Sequence, residues 1–475
     1  MQAIPQTQKQ KQDKDIAREM LAGLTTFLAM AYILAVNPNI LSATGMPRGG
    51  VLVATALASF VGTCLMAFFS NYPFALAPGM GLNAYFAYTV VLGMGYSYQV
   101  ALLAVFVEGL IFLALSLTKV RESLFNCIPL SLKAAISVGI GLFIAFIALQ
   151  NAKIVVDNPA TLVSLQSFTA ENMNNHGISA VLAIIGTIFT AWMLHKNVRG
   201  AILLGILATW ILGILAQLTH LYQVNPELGC YSLIPSLSFN TFSQSFKEFV
   251  GLFGSCFSHE NWSLRQVVDG KEVVTTGFSL LKSLNFVVVV FAFMFVDIFD
   301  TMGTLIGVSN KAGMLDREGK LPRIQGALLS DSMATSLGAI MGTSTVTTYV
   351  ESAAGVSEGG RTGLTALTTA FLFLISILFA PIFLAIPGFA TAPALVIVGF
   401  YMFSGITQIE FNDYLNSIPC YLTILVMPLA YSISEGICAG VISWTVLSLA
   451  AGRARSISPI MYLLTILFLA KYIFL

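Results

Sequence analysis

The chain has 475 residues, of which 57% are hydrophobic and only 9% charged, with a formal net charge of +1 and a mean hydropathy of +0.84. Soluble domains carry about a quarter charged residues, so these values exclude a soluble globular protein; the net charge itself says nothing about partners, and a nucleic-acid partner is not expected. They describe an all-α polytopic membrane protein, because apolar runs long enough for helices recur where the strands of a membrane barrel would alternate in stretches of about ten.

The first fifteen residues, MQAIPQTQKQKQDKD, are polar and lack the apolar core and cleavage site of a signal peptide; residues 1–15 are predicted to be a cytoplasmic tail. Spans are predicted at 19–37 and 51–70. Phe74–Gly81, FALAPGMG, then places a proline and two glycines where a third span should begin, leaving only 82–93 for regular helix. Such a broken segment is tolerated at membrane depth where it lines a cavity or is buried in protein. Spans at 98–118, 128–149, 177–196 and 199–217 complete a set of seven over 16–217.

Residues 218–283 form the only long polar insert, expected to be extracellular or periplasmic. It contains an amphipathic stretch at 243–253, a hairpin signal with Asp-Gly between two valine pairs in QVVDGKEVV, and the sequon Asn261-Trp262-Ser263. Cys230 and Cys256 share this insert and are the two cysteines that could pair. Cys64, Cys127, Cys420 and Cys438 sit in or beside apolar segments, as small buried residues do.

A second set of seven occupies 284–452: spans at 284–307 and 326–341, an interruption from Gly342 to Gly360 (GTSTVTTYVESAAGVSEGG), then spans at 362–384, 392–407, 419–433 and 435–450. The third element is the broken one in each set, the pattern of two structural repeats whose site lies where the broken helices meet. An odd number of spans per repeat makes the repeats inverted, giving about 14 transmembrane segments. Most of the 23 basic residues, among them Lys14, Arg18, Lys133, Lys196, Arg361 and Arg453, fall on one side of this topology, and only Arg48 and Lys153 fall in short loops on the other. The asymmetry predicts a cytoplasmic N-terminus. The last apolar run, 457–474 within 453–475, has no counterpart and is either a further span or a surface helix.

Candidate functional residues lie in and around the interruptions. In FVDIFDTMGTLIG, Asp297 and Asp300 stand three apart on one face of an apolar helix. An aspartate at mid-membrane costs roughly 2.5–3.5 kcal/mol on insertion scales, so such residues usually have a partner and a function. Two acids held together out of water make one of them a candidate to carry a proton near neutral pH. Glu351 is the acid of the second interruption; if the chain there is extended, Tyr349 projects to the same side, and if it is helical the two diverge. Asn83 offers both an amide donor and a carbonyl acceptor in the first interruption, and could equally bond its own backbone. Asp331 lies nearer the inner end of its span, where packing or gating is the default role, with the proton path as the alternative. Glu358 is expected to be solvated. The four histidines sit at segment ends or in loops, and no metal or cofactor motif accompanies the acids. Acceptors from both halves suit a neutral, flat ligand rich in N–H donors.

The stretches TTFLAMAYILAVNPNIL, APGMGLNAYFAY, FVDIFDTMGTLIGV and GTSTVTTYVESAAGVSEGGRTGLTA resemble the signatures of the AzgA-like adenine/guanine/hypoxanthine permeases, a branch of the nucleobase/ascorbate transporter (nucleobase:cation symporter 2) family. The resemblance implies two inverted seven-helix repeats, with segments 3 and 10 each beginning in a short strand. It also implies a division into a core of about 16–118 and 284–384 and a gate of about 128–217 and 392–450. It implies proton-driven import of purine bases across the plasma membrane (the inner membrane in a bacterium). Carried over, it puts Asn83, Asp297, Tyr349 and Glu351 at the base, with Asp300 in support of the site or the proton relay; Asp331 is grouped with Asp300 in support or proton coupling from its place in the span. The expected partners are a purine nucleobase, a proton and the lipid bilayer, with a homodimer as one option for the oligomeric state.

Uracil or xanthine as cargo is the nearest alternative, and an anion transporter of the same fold a more distant one. An intramembrane aspartyl protease is disfavoured because Asp297 and Asp300 share one helix, whereas such a dyad brings its carboxyls from separate elements. An enzyme is therefore not expected.

Overall fold

A computed structural model describes residues 6–117, 129–169, 173–198, 200–225, 232–234, 239–268, 271–311, 313–314 and 321–474. The chain begins with α1 (Gln6–Met30), α2 (Ile33–Ser42) and α3 (Arg48–Ser70), followed by β1 (Leu76–Pro78) and the half helix α4 (Met80–Ala84), which widens into a π-helical stretch, Tyr85–Gly93. Next come α5 (Tyr98–Ser116), α6 (Leu130–Asn151), a hairpin of β2 (Val155–Asn158) and β3 (Leu162–Leu165), α7 (Ile178–His195) and α8 (Ala201–Leu218). The insert holds α9 (Phe239–Leu252) and the hairpin β4 (Ser263–Val268) with β5 (Lys271–Thr276). The second half runs through α10 (Leu284–Lys311), α11 (Ile324–Met341), β6 (Val346–Thr348), the half helix α12 (Ser352–Ser357), α13 (Gly363–Ser376), α14 (Ala380–Ala385), α15 (Gly388–Phe403), α16 (Tyr414–Leu429), α17 (Ile433–Ala450) and α18 (Pro459–Phe474).

Ten helices among the described residues are long and apolar enough to cross a membrane, and α16 and α18 are shorter apolar helices. The chain is therefore a mostly helical polytopic membrane protein. Packing falls into two groups: α3, α5 and α11 pack together with α1 and α13, whereas α6, α15, α16 and α17 form another set with α7 and α8 against α15. Glycines let some of these helices approach closely. A Cβ on Gly109 of α5 would come 2.4 Å from Oγ of Ser336 on α11.

Between the halves the two broken segments meet. β1 and β6 pair antiparallel, Leu76 opposite Thr348 and Pro78 opposite Val346, and Gly79 N–H to Thr345 O (3.0 Å) and Tyr349 N–H to Ala75 O (3.0 Å) extend the ladder. Neighbouring helices satisfy the outer edges. Thr63 of α3 both accepts from Leu76 N–H (2.9 Å) and donates to its carbonyl (3.1 Å), while Thr335 of α11 donates to Val346 O (2.9 Å). Irregular backbone is thus kept at membrane depth with its polar groups paired by protein.

The insert is docked onto the helices. Glu248 of α9 accepts from Gly50 N–H (3.1 Å) in the first turn of α3, an acid at the positive end of a helix dipole. Arg265 N–H bonds Gly95 O (2.9 Å) and Ser97 N–H bonds Ser263 O (2.8 Å), which ties the hairpin to the end of the first broken segment. The hairpin's strands run longer than the valine pairs suggest; its Asp-Gly turn, Cys127, Cys230 and hence a Cys230–Cys256 pair lie outside the described residues.

Two boundaries differ from expectation. The first predicted span is two helices, α1 and α2, with a turn at Ala31 and Tyr32, and the second helix runs on to Ser42 through Pro38. The predicted polar stretch at 410–418 already contains the start of α16: Asp413 caps the helix by accepting from Leu415 N–H (3.1 Å). The terminal run forms α18, which packs on α17 and α10, with Thr465 donating to Thr445 (2.8 Å).

Candidate functional site

The site is built where β1 crosses β6, between α10 and α11. Leaving the ladder, the chain turns helical at once: β6 ends at Thr348, and Glu351 already has helical angles (φ −61°, ψ −16°) at the foot of α12. Tyr349 and Glu351 therefore do not share a face as strand residues two apart would, and each takes a different partner. Tyr349, buried, donates its hydroxyl to the Pro78 carbonyl of the opposite segment (2.6 Å). Glu351, half-buried, accepts from the Tyr32 hydroxyl (2.7 Å). Tyr32 reaches it because the turn between α1 and α2, inside the candidate span Asp15–Ser42, presents that side chain to the protein interior, where it is fully buried.

Asn83 is fully buried and bonds both its neighbours: its amide donates to Pro78 O (3.4 Å), and its carbonyl accepts from the Ser344 hydroxyl. The Pro78 carbonyl thus gathers Asn83 and Tyr349, stitching one broken segment to the other. Proline supplies no N–H here, so its carbonyl is the only polar backbone group it contributes.

Asp297 and Asp300 part company. Three residues advance a helix by about 300°, leaving two side chains about 60° apart, enough to send them to different neighbours. Asp297 is fully buried beside Thr301. The Thr301 hydroxyl oxygen stands 3.1 Å from Asp297 Oδ1, 2.9 Å from Asp331 Oδ2 and 2.7 Å from the Thr347 hydroxyl. One hydroxyl hydrogen can serve only one acceptor at a time, so Thr301 is a branch point between two enclosed carboxyls and β6. Asp331 is fully buried too, with the Thr348 hydroxyl 3.5 Å from its other oxygen. Asp300 is only half-buried. It acts electrostatically on Glu351, Asp331, Tyr32 and Tyr349, and its Oδ2 would lie 3.5 Å from a Cβ placed on Gly79.

Two levels result. Asp300 and Glu351 are partly accessible around Tyr32 and Tyr349. Asp297 and Asp331 are enclosed behind them, joined through Thr301. Residues 74–93 and 342–352 contain no lysine or arginine, so no basic side chain from either broken segment offsets these acids. Sequence reading missed Tyr32, Thr301 and Glu108. The last is a fully buried acid of α5 whose Oε2 accepts from Thr345 (3.0 Å), and it was legible as the lone charge in an apolar span. Among the described residues no cluster of histidine, cysteine and carboxylates could hold a metal.

A sequence profile described as Permease family (Xan_ur_permease) matches residues 17–438. The chain is 39% identical over 456 residues to the adenine permease AdeP of Escherichia coli K12, covering 96% of this chain and 92% of that one. It is 40% identical over 464 residues to the guanine/hypoxanthine permease PbuO of Bacillus subtilis 168, covering 96% and 97%. Among solved structures, the transmembrane domain of the cyanobacterial bicarbonate transporter BicA matches with a TM-score of 0.60 over 89% of this chain and 97% of that one, at 15% identity, a likeness of fold alone.

Proposed function

Because this chain belongs to the Permease family, we propose that it imports the purine nucleobases adenine, guanine and hypoxanthine by proton symport across the plasma membrane. The purine class is supported by the near-full-length similarity to permeases named for adenine and for guanine/hypoxanthine. Those relatives are transporters rather than enzymes. The observation that carries the coupling is the two-level arrangement of acids at the β1–β6 crossing, accessible Asp300 and Glu351 in front of enclosed Asp297 and Asp331.

A purine is flat and neutral and presents ring N–H donors. Asp300 and Glu351 would accept from it, and Tyr349 would line the base. Asn83 holds the edge of the pocket, its amide already shared between Pro78 and Ser344. Asp297 is proposed to take the proton, with Asp331 joined to it through Thr301, reversing the emphasis expected between Asp297 and Asp300, because Asp297 is the enclosed one. A proton on the inner acids removes negative charge behind the base, so base and proton would each favour binding of the other.

Fourteen segments in two inverted repeats fit the observed order. Each half places a helix, a threonine bonded to a strand, the strand and a half helix in the same succession: α3, Thr63, β1, α4 and α11, Thr335, β6, α12. The two packing groups are proposed as the core and gate that move against each other. An anion cargo is disfavoured by a site with four acids and no base on either broken segment.

The test is uptake of radiolabelled hypoxanthine and adenine into proteoliposomes under an imposed pH gradient, with competition by guanine, xanthine and uracil. Accumulation driven by an acidic outside and abolished by a protonophore is expected. Gradient-independent uptake would overturn the coupling, and preferential competition by uracil would overturn the purine assignment.

A further inference from the structure

Among the buried carboxyls of the described residues, Asp297 and Asp331 have a proposed role and Glu108 has none. Glu108 sits mid-way along α5, an otherwise uncharged helix, and is completely enclosed. Its Oε2 accepts from the Thr345 hydroxyl (3.0 Å), directly before β6. Its Oε1 meets no donor among the described residues. The carboxyl of Asp297 stands within hydrogen-bonding reach of Glu108, and Asp331 is the next acid acting on it.

The elements packed against α5 are α10, α11, the π-helical stretch and the short turn Ser255–Phe257. They carry Asp297, Asp300, Asp331, Tyr85, Tyr88 and Cys256 as titratable groups, and their only base is Lys311, the last residue of α10. No cation in the middle of the span compensates the acids. Two ionised carboxylates are both acceptors, so contact between them is repulsive and leaves oxygens unsatisfied out of water. A carboxyl bonds another carboxyl only when a proton lies between them.

Resting on the proton-symport reading, we infer that Glu108 and Asp297 share the transported proton, with Glu108 handling the proton without touching the base. Loading adds one proton to the pair: an O–H bond forms on one carboxyl, the other accepts from it, and the pair's charge falls from −2 to −1. Release breaks that O–H bond and restores the pair, with no other bond changed. The proton also bears on the substrate side. Glu108 holds Thr345 and Asp297 adjoins Thr301, which contacts Thr347, so both carboxyls touch the chain that forms β6. Its arrival pulls α5 and α10 together on the strand that frames the site.

The decisive variant is Glu108→Gln in full-length protein reconstituted into proteoliposomes. Glutamine keeps an acceptor for Thr345 and supplies Asp297 with a permanent donor in place of the proton. Accumulation of radiolabelled hypoxanthine under a pH gradient should fall at least about tenfold, while hypoxanthine–hypoxanthine exchange at equal pH stays within about threefold of wild type. Glu108→Asp should restore accumulation with a displaced pH profile. A Glu108→Gln protein that concentrates hypoxanthine with the wild-type pH profile overturns the inference. The readings separate on the wild type: if adding hypoxanthine moves no protons, proton symport fails, whereas wild-type proton movement with an unaffected Glu108→Gln variant defeats only the role of Glu108. Should Glu108→Gln fail to fold, Thr345→Val removes the donor to Glu108 and keeps the acid. Its pH midpoint for uptake should move by about one unit, a tenfold change in proton affinity, and an unmoved midpoint overturns the inference.

Discussion

The hydroxyl of Tyr349 donates to the carbonyl of Pro78, 2.6 Å away, although 271 residues separate them in the chain. It is a side-chain bond across the crossing of the two broken segments, parallel to the backbone ladder. Tyr349→Phe keeps the ring and removes the bond, leaving a buried carbonyl with Asn83 alone at 3.4 Å. Leaving a buried acceptor under-satisfied costs about 1–3 kcal/mol. The melting temperature in detergent should drop by a few degrees while hypoxanthine still stabilises the protein. An unchanged melting temperature would show that the bond contributes nothing.

Thr301 is the branch point between Asp297, Asp331 and Thr347. Thr301→Val preserves shape and deletes the hydroxyl, so two enclosed carboxyls lose their common donor. At about 1–3 kcal/mol for such a loss, purine uptake should fall on the order of 10- to 100-fold. Thr301→Ser, which keeps the hydroxyl, should stay near wild type. Equal uptake by the serine and valine variants would refute a role for the hydroxyl.

The Tyr32–Glu351 pair is open to a double-mutant cycle. Tyr32→Phe strips the carboxyl of its 2.7 Å donor, and Glu351→Gln removes the charge. Hydrogen bonds to charged groups contribute about 1.5–3 kcal/mol, so purine affinities of the two single variants and the double variant should be non-additive by about 1 kcal/mol or more. Additive losses would mean that the bond seen here is not part of the binding state.

These three predictions differ in how far sequence foreshadows them. Asp297, Asp300, Glu351 and the two broken segments are conspicuous because acids, prolines and glycines cost free energy in an apolar chain. The positions of Tyr32 and Thr301 are not legible, since tyrosine and threonine are unremarkable in membrane helices and theirs matter through contacts distant in the chain, 319 residues away for Tyr32 and 30 and 46 away for Thr301. Glu108 was visible but had no motif around it. The start of α16 was hidden because Asp413, Asn416 and Ser417 read as loop composition, whereas Asp413 is a cap and Asn416 accepts from Trp444 (2.8 Å).

Outside the candidate membrane spans, Cys256 gives a probe of the insert. It is buried, with its carbonyl accepting from the Trp262 indole (3.1 Å), and burial pushes its thiol up to about 11. The thiolate is the reactive form, so at pH 8 only about one thiol in a thousand is ionised. Folded protein should leave Cys256 unmodified by iodoacetamide at pH 8, read by peptide mass mapping, and labelling should rise tenfold per pH unit towards 11 or appear at once on unfolding. Rapid labelling of folded protein at pH 8 would contradict a docked insert.

The ladder between β1 and β6 also imposes an order on the protein's birth. Residues 76 and 348 belong to opposite halves of the chain, so while the ribosome is still making everything between them, the backbone of Leu76–Gly79 lacks its strand partner in a medium that offers no water in exchange. The first half cannot mature alone, since its third segment must be sheltered, by Thr63 and neighbouring helices or by the insertion machinery, until the second half arrives. The candidate site is consequently among the last parts of the molecule to exist, and a chain interrupted anywhere before Thr348 lacks the strand that completes it.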